Sequence, residues 1–121
     1  MTWKLVGIAM AAVCLSACTS SMSGDYVGGK GKTLPITKEV WAGYNDYVAK
    51  IQGTNPGAFV VAALDGVGVS YTDVTCSAGH CRAGKDPSNW AMEDCQGHGF
   101  ECVLFARSSD ILINYKIIDG Q

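Results

Sequence analysis

The sequence predicts an α+β fold in the order helix–hairpin–helix–hairpin: a four-stranded antiparallel sheet with helices packed on it, stapled by disulfides. Three patterns carry this expectation. Apolar residues recur at helical spacing between Pro35 and Gln52, and an Asp65-Gly66 pair separates two strand-like runs. A capped helix over Asp86–Gly97 then precedes a second pair of strand-like runs.

The first eighteen residues stand apart from this domain. Lys4 follows the amino terminus, and Leu5–Leu15 is an apolar run broken only by Gly7. Small residues then lead into Cys18. The run is too short to span a bilayer and has the layout of an export leader. With Leu15-Ser16-Ala17-Cys18 at its end, the segment resembles a bacterial lipoprotein signal peptide with its lipobox. The resemblance implies cleavage before Cys18 and lipid on its sulfur, with palmitate-type acyl chains holding the protein in a membrane. One chain anchors only marginally and two or more anchor stably. Thr19 stands where inner-membrane retention signals of this class carry Asp, which points to the outer membrane, facing the periplasm.

Residues 18–33 are rich in Ser, Gly, Thr and Lys, and read as a flexible tether to a domain over 34–121. In that domain Val40, Tyr44, Tyr47 and Ile51 fall on one helical face, with Thr37 as the cap. Such an aromatic stripe is a core face before it is a ligand face. Ala58–Leu64 is continuously apolar, as a strand covered on both sides would be. Val67, Val69 and Tyr71 then alternate with smaller or polar residues, as in a strand with one wet face. Asp86 and Pro87 open the second helix, Ala91 and Cys95 face the sheet, and Gly97 ends it. Glu101–Ala106 and Ile111–Ile117 form the last hairpin around Arg107–Asp110.

Four cysteines fall in the domain: Cys76, Cys81, Cys95 and Cys102. An even number in a small exported domain reads as a disulfide framework, and four allow three pairings. Loop geometry favours Cys76–Cys81 and Cys95–Cys102. His80 and His98 lie beside these cysteines, so zinc is the rival reading. No compact CxxC knuckle occurs and the compartment is oxidising, so no metal and no cofactor are expected.

The full chain carries a formal charge of −2, one unit less negative than the chain without Lys4. Nucleic acid, which selects a basic stripe, is therefore excluded as a partner. No nucleophile elbow, HExxH or paired-carboxylate frame is present, so no catalytic residue is expected. Trp90 on the second helix and the loop residues His80 and His98 are the candidate binding residues.

The runs Phe59–Gly66, Tyr71 with Cys76, Ala91 with Cys95, and Cys102–Ala106 with Ile111 resemble a small exported bacterial domain of unknown function. That resemblance implies an accessory or binding module. The expected function is an envelope lipoprotein that binds a protein or glycan partner. The alternatives are an inhibitor or immunity protein against a secreted hydrolase, with the Cys76–Cys81 loop as a wedge, or a small hydrolase using His80 or His98.

Overall fold

A computed structural model describes residues 23–28, 31–51, 56–76 and 86–119. The strands are β1 (Leu34–Thr37), β2 (Gly57–Leu64), β3 (Val67–Thr75), β4 (Glu101–Arg107), β5 (Asp110–Ile111) and β6 (Tyr115–Ile118), and the helices are α1 (Lys38–Lys50) and α2 (Pro87–Gln96). All six strands join one mixed sheet in the order β5-β4-β2-β3-β1-β6.

This corrects the expected four-stranded antiparallel sheet. The residues at and ahead of the predicted cap Thr37, expected only to lead into the opening helix, form strand β1, which runs parallel to both β3 and β6. Thr37 ends that strand and caps α1 in the same step, its Oγ1 accepting from the Val40 N–H at 3.2 Å. The predicted last strand is also divided. Its start, β5, pairs with the end of β4, whereas β6 crosses to the opposite edge and pairs with β1.

That crossing dictates the shape. Neighbouring strands lie about 4.8 Å apart, so the outer strands of a flat six-stranded sheet would be about 24 Å apart. Only Leu112–Asn114 joins β5 to β6, and four backbone steps reach at most about 14 Å. The sheet must therefore curl until its edges approach, giving a half-barrel. Two bulges help: Val69 is extra against Ala62/Ala63, and Phe105 is extra against Phe59/Val60. The first bulge also turns Val69 outward and brings Gly68 inward, against the simple alternation expected for β3.

Helix α1 fills the concave side. Val40, Tyr44, Tyr47 and Ile51 pack with Phe59, Val61, Val103 and Phe105, so the aromatic stripe is core. Alternate residues of β2 (Ala58, Val60, Ala62) point to the convex side, where they meet Ala91 and Cys95 of α2. The central strand is thus covered on both faces, as its unbroken apolar run required. Asp65 (φ 53°) and Gly66 (φ 82°) form the expected β2–β3 turn, with positive φ at both positions. Asp86 caps α2 through a 3.0 Å bond from the Ser88 N–H.

Part of the expected tether belongs to the fold. Residues Ser23–Asp25 form a 3-10 turn, Tyr26 is buried at 4% exposure in the concave core, and Val27 bridges Ile113. The Asn114 N–H donates to the Tyr26 carbonyl at 2.8 Å, and the Asn114 side-chain amide donates to the Gly28 carbonyl. Burial of the aromatic ring and these hydrogen bonds together act against the freedom the Ser/Gly-rich segment loses.

The buried Tyr47 hydroxyl donates to the Ser108 carbonyl at 2.7 Å, tying α1 to the β4–β5 turn. Burial, then Tyr44 and Asp73, pushes its ionisation upward. Tyr44 is raised by burial, then Tyr115 and Asp110, and Tyr26 by burial, then Asp25 and Glu101. A phenol with a raised folded-state pKa stabilises the fold fully below the unfolded value of about 10 and loses that contribution as pH climbs beyond it. The folded state is therefore expected to weaken above about pH 10. Tyr47→Phe should cost about 1 kcal/mol at neutral pH and make the alkaline loss shallower. Urea midpoints at pH 7 and pH 11 check both.

Candidate functional site

The convex side carries an open groove of about 430 Å³ between α2 and β3. Its origin lies in residue size. Ala58, Ala62 and Ala91 let α2 sit close over β2. Beside the helix, Ser70 and Thr72 of β3 point to the same side as Ala62 and Val60, their cross-strand partners, and line the opening. These hydroxyls form one wall, and Asp94, His98 and Phe100 form the other.

The far wall is held by the end of α2. The His98 N–H donates to the Cys95 carbonyl and the Gly99 N–H to the Gln96 carbonyl, with Gly99 at φ 84° turning the chain toward β4. The Cys95–Cys102 disulfide closes this loop at its base, as the sequence predicts. His98 and Phe100 are thus displayed on a stapled loop. Phe100 also lines a second, smaller depression of about 300 Å³ with Leu64, Asp65 and Glu101, so the two adjoin along the loop.

Their combined lining is acidic and hydroxylic. Asp94, Asp65 and Glu101 are exposed. Asp73 is paired with Lys50 at 3.3 Å. His98 is exposed, and no side-chain hydrogen bond joins it to Asp94, Ser70 or Thr72 among the described residues. Such a surface offers acceptors and hydroxyls to a polar ligand, plus one aromatic face. Among the described residues no three His, Cys, Asp or Glu side chains converge on a point that could hold a metal ion.

Of the predicted site residues, His98 lies in the groove. Trp90 is half-buried on another face of α2 and does not line it. Cys76 is 7% exposed and disulfide-bonded, but its assignment to Cys81 lies outside the described residues, as do His80 and the lipid-bearing Cys18. Sequence reasoning missed Ser70, Thr72, Asp94 and Phe100. A signal was present for the first two: they occupy the polar phase of a strand whose partner is buried on both faces. No helix among the described residues is long and apolar enough to cross a membrane. No protein-family model, no curated protein and no solved structure matches the chain.

Proposed function

We propose that the chain is a bacterial envelope lipoprotein, anchored in the outer membrane through acylated Cys18 and facing the periplasm, whose domain binds a protein or glycan partner. The observation that carries the binding reading is the groove between α2 and β3, with hydroxyls on one wall and Asp94, His98 and Phe100 on a disulfide-closed loop opposite. Rigid presentation of a few polar groups and one aromatic ring favours binding, because little side-chain freedom is lost on contact. The anchor rests on the Leu15–Cys18 motif and on the apolar run before it.

Two-dimensional NMR with neutral soluble oligosaccharides tests the glycan arm: amide shifts should move at Ser70, Thr72 and His98. A photo-crosslinking residue in place of Asp94 tests the protein arm in intact cells. Thr72→Arg, which fills the groove from an exposed strand, should abolish the response in either arm with little change in thermal midpoint. His98→Ala should weaken it by about three- to tenfold, the worth of about one hydrogen bond. If neither probe responds, or if Thr72→Arg leaves the response intact, the groove is not the binding surface.

A further inference from the structure

The docked segment Ser23–Gly28 changes what the anchor can do. If residues 18–33 were a free tether, the domain could stand up to about 50 Å from its lipid. Instead the chain rejoins the fold at Ser23, leaving four residues after Cys18. Five backbone steps reach at most about 17 Å. The point of return is fixed on the half-barrel. The 3-10 turn packs along β4, Tyr26 enters the concave core, and Val27 bridges Ile113 where the chain passes from β5 to β6. The α2–β3 groove opens on the other face of the sheet, with β3 two strands in from β4.

We infer that this seam, formed by Ser23–Gly28 with Ile113 and Asn114, faces the lipid surface that carries Cys18, and that the α2–β3 groove is held on the side away from it. The inference rests on acylation of Cys18. The partner in the groove then comes from the aqueous space and not from the same bilayer. The hold is a covalent leash. Within the described residues 23–28, 31–33 and 110–116, exposed Asp25 and Asp110 balance exposed Lys32 and Lys116, so these segments present no basic patch that would adhere to anionic lipid.

The test uses the full acylated protein in bilayer nanodiscs containing a gadolinium-chelating lipid. NMR amide signals of Val27 and Ile113 should be lost and those of Ser70 and Thr72 retained, at low and at high salt. Insertion of about fifteen Gly/Ser residues between Met22 and Ser23, a chain with a span of about 20 Å, should restore the seam signals. Equal loss at seam and groove, or retention at both, overturns the orientation. A pattern that vanishes at high salt, or survives the insertion unchanged, overturns the leash in favour of adhesion. Mass spectrometry of the same sample separates the two levels. An unmodified Cys18, or lipid still incorporated by Cys18→Ala, defeats the anchoring reading itself. An acylated Cys18 with the wrong broadening pattern defeats only the orientation.

Discussion

Phe59→Ala is expected to destabilise the domain by about 3–5 kcal/mol, a large share of the stability of about 5–15 kcal/mol that native domains possess. Phe59 is fully buried near the start of β2. Its ring lies 5.0–5.8 Å from those of Tyr44, Tyr47, Tyr71 and Phe105, so it joins α1 to the two strands that flank its own. Truncation removes the apolar surface and the ring contacts together and leaves a void the curled sheet cannot collapse, because β2 is hydrogen-bonded on both edges. Thermal melting should shift down by at least about 12 °C or lose cooperativity. Phe59→Leu retains most of the volume and should cost about half as much. A fall of less than about 1 kcal/mol for the alanine variant would mean that the aromatic cluster does not hold the half-barrel together.

The second large effect concerns the staple. Replacing Cys95 and Cys102 together by alanine should cost about 2.5 kcal/mol, from the loop-closure entropy of a separation of seven residues. Alanine avoids burying unpaired hydroxyls, since both cysteines are nearly inaccessible. That burial also predicts that the folded protein resists thiol reductants, because attack needs access to a sulfur. The consequence reaches the groove: once its base is open, the loop bearing His98 and Phe100 has more freedom to lose on contact. Urea unfolding at unchanged m-value measures the first effect, and the NMR titration of the groove measures the second. A double variant as stable as the native chain would show that backbone bonds such as His98 N–H to the Cys95 carbonyl order the loop by themselves.

Both predictions depend on features of different legibility. The stripe Val40, Tyr44, Tyr47 and Ile51 is visible as a helical face because its spacing is local, and its partner strand shows in the unbroken apolar run of β2. The Cys95–Cys102 pair is legible from loop length. The curl is not. Leu34–Thr37 has four residues and a proline, too few to show a strand period, and its helical neighbours absorb it into their pattern. The groove is equally hidden, since Ser70 and Thr72 look like any wet strand face until α2 is placed beside them.

The amino-acid order alone determined the pieces: Thr37 and Asp86 as caps, Asp65-Gly66 as a turn with left-handed backbone, β2 as a strand covered on both faces, and a stripe of α1 as core. Each follows from interactions within a few residues, where hydrogen-bond rules and periodicity act without reference to the rest of the chain. Tertiary structure alone decided that β1 and β6 pair in parallel from opposite ends of the domain, that the sheet closes round α1, that Tyr26 is drawn from a polar segment into the core, and that two hydroxyls come to face a stapled loop. Those outcomes depend on which distant surfaces bury each other best, and the free energy of that burial belongs to the assembled pair and to neither segment alone.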